Sequence, residues 1–304
     1  MEGGKVMDYC SVMEIAKKWK ISERSVRRYC SQGRVPGAIL SGKTWSIPEN
    51  AQKPKRSNQR KKRPVSLLDI LQEEKAGKYS GGIYHKTQIS LTYNSNHMEG
   101  SRLTQDQTRY IFETNTIGIE KEAVNVDDVI ETVNHFRCVD WIIDHANARL
   151  TQKNIKELHR ILKSGTSDSR KDWFAVGDYK KVPNEVGGRE TTPPEKVAGE
   201  IKALLEQYHR KEENTLKDIL DFHVQFERIH PFQDGNGRVG RLILFKECLK
   251  NNIVPFIIED TLKMYYYRGL KEWDEEKGYL MDTCLSAQDQ YTRYLDYFRI
   301  PYSE

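Results

Sequence analysis

Residues 230–241 read His-Pro-Phe-Gln-Asp-Gly-Asn-Gly-Arg-Val-Gly-Arg, and their types and spacing suit phosphate chemistry. Gly235 and Gly237 let the backbone approach a ligand closely, with N–H groups exposed at the start of a following helix, which is a geometry that binds anions. Arg238 and Arg241 are three apart, so two guanidinium forks share one helix face. Asp234 adds a single carboxylate, enough for a Mg²⁺ that rides on phosphates. His230 carries a ring that accepts a proton near neutral pH. Any one of these residues also fits an ordinary helix corner, with Asn236 as a cap and the histidine in the core. Together, a phosphate cradle, a metal carboxylate and a base on one turn describe phosphoryl or nucleotidyl transfer.

The elements that must hold this turn are helical. Apolar residues recur at helical spacing over 220–229 before it and 239–249 after it, and Pro231 and the glycines break the two runs apart. Upstream, the spacing predicts helices over 126–147, where Val129, Val133, Phe136, Val139 and Ile143 share a face, and over 152–163 behind a Thr151 cap. Further helices are expected over 66–77, 195–209, 215–229, 261–275 and 278–298, which gives a mainly α chain. His159 and His223 fall inside helices and read as packing residues, and His97 as structural. A helix from Ile83 ends at Gly100 with Glu99 in its last turn. An acid there opposes the helix dipole, so Glu99 is expected to have a cationic partner. Residues 173–194 change character, with Gly, Pro and short β-type runs that predict a hairpin inserted between helices.

The turn resembles, at every position, the Fic-family signature His-x-Phe-x-Asp/Glu-Gly-Asn-Gly-Arg-x-x-Arg. The resemblance implies a helical Fic (Fido) domain with a β-hairpin flap, covering roughly residues 67–298, that moves AMP from MgATP onto a protein Ser, Thr or Tyr hydroxyl, itself included. It implies His230 as the general base and Asp234 as the Mg²⁺ ligand. Asn236, Gly237 and Arg238 would cradle the α- and β-phosphates and Arg241 the γ-phosphate, with Gly235 and Gly240 in the same nucleotide-binding loop and Phe232 as its anchor. Ser95-x-x-x-Glu99-Gly100 resembles the family's inhibitory motif, whose glutamate pairs with the second arginine, here Arg241, and blocks the γ-phosphate. Residues 173–194 resemble the flap that aligns a target segment by strand addition, which would set Asn184, Glu185, Val186 and Gly187 against nucleotide and target. Tyr266 and Tyr267 resemble the stretch lining the adenosine pocket, although an Asn often found further on is Asp274 here. Two other enzymatic readings stay open: removal of AMP by a water that Glu99 orients, and transfer from another nucleotide or phosphate donor.

Residues 1–49 read as a separate unit. Ser11 caps a helix with Glu14 as capping-box partner, and Val12, Ile15, Ala16 and Trp19 mark its apolar face. Ser22 caps a second helix with Val26 and Tyr29 inward and Arg24, Arg27 and Arg28 largely outward. A hairpin follows over 39–47. This layout is similar to MerR- and excisionase-type winged helix-turn-helix modules, which implies DNA binding by the three arginines and, for specificity, a homodimer. A nucleotide-sensing DNA-binding regulator is therefore the reading from outside enzymology. Residues 50–65 are a basic linker in which Arg60–Arg63 could follow phosphates.

Composition sets outer limits. A chain of 304 residues with net charge +5, 31% charged residues and a mean hydropathy of −0.75 predicts a charged surface, two domains and no membrane partner. Five scattered cysteines without metal spacing predict reduced thiols in a cytoplasm.

Overall fold

The computed structural model describes residues 8–54, 66–118 and 123–302. Most of the expected basic linker, including Arg60–Arg63, lies outside the described residues. The chain is mainly helical, and among the described residues the buried apolar side chains form three clusters, the smallest being Leu103, Ile111 and Phe136.

The N-terminal unit opens with β1 (Tyr9–Cys10), α1 (Val12–Trp19) and α2 (Glu23–Ser31), followed by β2 (Ile39–Ser41) and β3 (Thr44–Pro48). Ser11 and Glu14 form a complete capping box, and Ser22 accepts from Ser25 N–H, so both helices start where their side chains satisfy orphan amides. Lys20 takes a left-handed conformation, φ 52°, and ends α1. The strands pair antiparallel in the order β1-β3-β2, with Leu40 opposite Trp45 and Tyr9 opposite Pro48. β1 was not expected, because two residues carry no alternation. Ile15, Trp19, Val26, Tyr29 and Ile47 close a small core of their own.

The larger unit runs through α3 (Leu67–Gly77), α4 (Ile83–Met98), α5 (Gln105–Thr114), α6 (Val126–Asp144) and α7 (Gln152–Lys163). The hairpin β4 (Glu185–Val186) and β5 (Arg189–Glu190) follows, then α8 (Pro194–Tyr208), α9 (Leu216–Ile229), α10 (Asn236–Lys250), α11 (Lys263–Lys271) and α12 (Gly278–Tyr297). α10 is the axis: it packs on α9, α6, α4 and α7, and it is buried on nearly every side. A helix in that position needs apolar residues all round, and 242–245 read Leu-Ile-Leu-Phe. Its two fully buried charges answer each other. Lys246 Nζ donates to Glu247 Oε1 at 2.8 Å and to the carbonyl of Ala148 at 2.8 Å, and Tyr208 Oη donates to Glu247 at 2.9 Å. α5 is a helix that periodicity did not reveal, although Thr104 and Gln107 form its capping box. The run expected over 261–275 splits into a 3-10 turn and the shorter α11.

The expectation that Arg24, Arg27 and Arg28 point outward is corrected. α2 packs on α12 through that arginine face. Arg27 is 2% exposed; its Nε and Nη2 both reach Asp289 Oδ2 at 3.2 Å. Arg24 reaches Thr292 Oγ1 at 3.5 Å, and the guanidinium groups of Arg24 and Arg28 lie 5.1 and 4.9 Å from the centre of the Tyr302 ring. On the neighbouring strand, Thr44 Oγ1 donates to Asp282 at 3.3 Å. Two carboxylates seven apart on α12, two turns along one face, draw the basic face inward.

Removing one partner of a buried pair strands the other charge. Asp289→Ala is expected to cost about 2–3 kcal/mol, less than a fully buried pair because Asp289 is partly exposed, and to lower the calorimetric midpoint by several degrees. An unchanged midpoint would show that the two units are not held together here.

Candidate active site

The signature turn sits where α9 ends and α10 begins. α9 ends at His230, whose φ of 51° puts a non-glycine residue in the left-handed region. That conformation costs on the order of 1 kcal/mol and persists only where the surroundings enforce it. Here they do. His230 N–H caps Phe226 O at 3.0 Å. Asn236 Oδ1 accepts from Phe232 N–H at 2.8 Å and its Nδ2 donates to Phe232 O at 2.9 Å, so one buried amide closes the loop. Phe232 is fully buried, its ring stacked on His159 at 4.0 Å between centroids. His159 Nδ1 in turn accepts from Gly177 N–H at 3.0 Å. The two packing residues therefore aim the loop.

His230 is half-buried, and its Nδ1 lies 3.3 Å from the carbonyl of Glu227. A proton held at Nδ1 leaves Nε2 as the free base. Burial lowers its pKa from the ordinary histidine value, offset in part by that carbonyl, so the ring is neutral at pH 7.

Arg241 lies at the far end of the turn, 6% exposed. Its Nε donates to Ser95 Oγ at 3.1 Å and its Nη2 to Ser95 O at 2.9 Å and Glu99 Oε1 at 2.7 Å. Ser95 and Glu99 are four apart, on one face of the end of α4, so both reach the same guanidinium. Gly237 makes room for the pair: a Cβ there would run into the Glu99 carboxylate and meet Arg241 Nη1 at 2.9 Å. Burial raises the Glu99 carboxyl, but the Arg241 charge overcomes it and holds the carboxyl below its ordinary value. Glu99 is thus ionised near neutral pH.

Between these ends lies a charge network. Asp234 Oδ2 accepts from Arg238 Nη2 at 3.0 Å and from Lys163 Nζ at 2.7 Å. Glu131 on α6 pairs with both cations. Burial works against the charged Asp234, yet Arg238 and Lys163 pull its pKa well below the carboxylate range. Asp234 keeps 45% of its side chain exposed. No cluster of three metal-binding side chains occurs among the described residues. One half-exposed carboxylate between Arg238 and Lys163 fits a Mg²⁺ shared with phosphates, not a cation held by protein alone.

A cavity of about 620 Å³ opens over the turn. His230, Gly237, Arg241 and Glu99 line one wall, Tyr266, Tyr267 and Leu270 another, and Val186 and Gly187 of the hairpin the rim. Of the expected contacts, Asp234, Gly235, Asn236, Arg238, Gly240, Asn184 and Glu185 are not part of this lining. Asn184 Nδ2 donates to Phe232 O at 3.0 Å and Glu185 is exposed outside the lining, so neither faces the cavity. Gly240 turns toward α9, where a Cβ would meet His223 Cε1 at 2.9 Å. The Asn236 side chain is spent on closing the loop, which leaves only its backbone for a phosphate. Tyr266 is buried, and its Oη is 2.6 Å from His223 Nε2. Asp274 pairs with Arg228 at 2.9 Å. Lys163 and Glu131 were not singled out in the sequence, since each lies on a helix remote from the signature.

The Fic/DOC family pattern matches residues 149–247. The protein adenylyltransferase Fic of Drosophila melanogaster is 29% identical over 192 residues, 59% of this chain and 36% of that one. The Drosophila grimshawi protein of the same name is 28% identical over the same length. The chain thus spans about a third of the length of these curated relatives. Among solved structures, a Fic domain containing signaling protein from Bacteroides thetaiotaomicron superposes with a TM-score of 0.57 at 26% identity, covering 76% of this chain and 87% of that one. A Fic-1 fragment from C. elegans superposes at 0.60 with 18% identity, over 76% and 71% of the two chains, a likeness of fold. The site built on His230, Asp234 and Arg241 therefore adjoins and overlaps the stretch that matches the Fic/DOC family pattern, in a chain with the mainly helical Fic fold.

Proposed function

We propose that this domain transfers AMP from ATP to a protein hydroxyl and that Glu99 holds it off. The observation that carries the reading is a neutral His230 beside the amide-lined start of α10, with Arg238 and Arg241 behind it. The name of the curated relatives, protein adenylyltransferase, supports it. In the forward step, His230 Nε2 takes the proton of a Ser, Thr or Tyr hydroxyl. The oxygen attacks the α-phosphorus, and the bond to the β-phosphate oxygen breaks to release pyrophosphate. The backbone amides of α10 and the two guanidiniums hold the phosphates, so alignment and charge stabilisation dominate. Asp234 would hold a Mg²⁺, which supplies positive charge against the triphosphate when bound. Val186 and Gly187 at the cavity rim suit a target strand laid along the hairpin.

Glu99 and a γ-phosphate compete for Arg241. While the carboxylate is 2.7 Å from Nη2, the triphosphate has no cation for its end and binds in a pose that cannot react. With α-³²P-ATP, Glu99→Gly is expected to label itself strongly, wild type weakly, and Glu99→Gly/His230→Ala at least about 10²-fold less than Glu99→Gly. Equal label on wild type and Glu99→Gly would remove the inhibitory role, and full label on the double variant would remove His230 as base.

The pH dependence has a definite sign. Because burial lowers the His230 pKa, the base stays deprotonated below its ordinary value of 6.5. Transfer by Glu99→Gly should hold level from pH 8 to 6.5 and fall only beneath that. Wild type should not be relieved across this window, since Glu99 stays ionised. A rate for Glu99→Gly that already drops between pH 8 and 7 would rule this out.

A second reading rests on the layout of the N-terminal unit: it binds DNA phosphates through Arg24, Arg27 and Arg28, but only once α2 leaves Asp282 and Asp289 of α12, which turn that face inward. Under this reading, Asp282→Asn/Asp289→Asn should bind nonspecific duplex about tenfold more tightly than wild type at low salt, with a steeper salt dependence. Equal shifts of both proteins on a gel would leave the arginine face with a purely internal duty.

A further inference from the structure

Lys163 is the last residue of α7 and only 2% exposed. An ammonium has three donors, and here each meets a carboxylate: Glu131 Oε1, Asp168 Oδ2 at 3.1 Å and Asp234 Oδ2 at 2.7 Å. Arg238 bonds two of the same three acids, Glu131 and Asp234. Lys163, Asp234, Arg238 and Glu131 therefore close a ring of alternating charge that ties α6, α7 and the start of α10 together.

We infer that Lys163 is a positioning residue for phosphate binding: it is the standing counter-charge of Asp234, so that a nucleotide's phosphates can occupy the cradle without a divalent cation. This rests on the nucleotide reading above. The argument is electrostatic. Without Lys163, three carboxylates would face the single guanidinium of Arg238, and Lys171 offsets only Asp168, at 2.7 Å, from the exposed side. A phosphate entering beside Asp234 would then meet negative charge that Arg238, shared with Glu131, does not balance alone. With Lys163 in place, Asp234 Oδ2 is shared between two cations and its repulsion is cancelled in advance. Burial opposes the Lys163 charge, but Asp234 and Glu131 more than restore it.

The test is the metal dependence of ADP binding, which a purely structural lysine would not alter. ADP lacks the γ-phosphate, so Glu99 does not compete with it. Calorimetric titration of wild type with ADP in EDTA should give a Kd within about tenfold of that in Mg²⁺. Lys163→Met should lose about tenfold or more in EDTA and far less in Mg²⁺, and Lys163→Arg should keep the wild-type ratio. The same EDTA-to-Mg²⁺ ratio in Lys163→Met and wild type would overturn the inference. So would a wild type that binds ADP in Mg²⁺ and not in EDTA, a result that stands even where Lys163→Met fails to fold. Absence of ADP binding by wild type in both conditions would instead overturn the phosphate reading of the loop, and this inference with it.

Discussion

A buried guanidinium has to be answered, and Arg241 imposes that condition on everything around it. It is anchored by Ser95 from one side, and its remaining capacity points into the cavity. An arginine does not lose its proton to relieve the cost of burial, so a negative partner must come from the protein or from a ligand. Glu99 is that partner here. The bare α-carbon of Gly237, the four-residue spacing of Ser95 and Glu99, and the end of α4 against α10 all serve this contact. Exchange of one anion for another at fixed Arg241 needs only the Glu99 side chain to move, because the rest of the loop is locked by Asn236 and Phe232. The site is thereby rigid in its cradle and adjustable at one carboxylate.

The same condition, applied to the other arginine of the signature, gives a different solution. Arg238 is answered by Glu131 and Asp234, and those acids by Lys163. Truncating one member of such a set costs more than any pair within it contributes. A ring of this kind holds its geometry against side-chain entropy, and it presents the cradle with charges already arranged. Glu99 bonds Arg241 and no member of the ring, although its charge is felt by Arg238 and Asp234. The two arginines of one short turn are thus answered by different acids, Arg238 by Glu131 and Asp234 and Arg241 by Glu99.

Much of the fold was legible because it is written locally. Thr151 and Ser11 cap where their spacing says they should, and the signature names its own turn through Pro231 and two glycines. α5 was missed because its apolar residues are few, even though Thr104 and Gln107 mark its start. In the site, the residue types announced the chemistry but not the duties. Asn236 and Gly240 look alike to a reader of the signature, yet the amide closes the loop and the glycine makes room for His223. Lys163 and Glu131 were invisible for a physical reason. Their roles exist only where three helices remote in sequence converge, and an isolated Lys at a helix C-terminus reads as an ordinary dipole partner. The arginines of α2 misled in the opposite sense. A basic helical face looks solvated until Asp282 and Asp289 of α12 are found against it.

That contact leads back to the cavity. α12 is not a free-standing helix: Gly269 of α11 lies so close to it that a Cβ would meet Leu280 Cα at 2.7 Å. Packing at that distance leaves the two helices no room to shift independently, since cores deform in discrete steps. α11 carries Tyr266 and Tyr267 into the cavity wall, and Tyr267 Oη donates to the carbonyl of Met98, the residue before Glu99, at 3.4 Å. An unbroken packed series therefore joins Arg27, α12, α11 and the end of α4. Asp289 and Glu99 sit at its two ends, each paired with a buried arginine, Arg27 and Arg241.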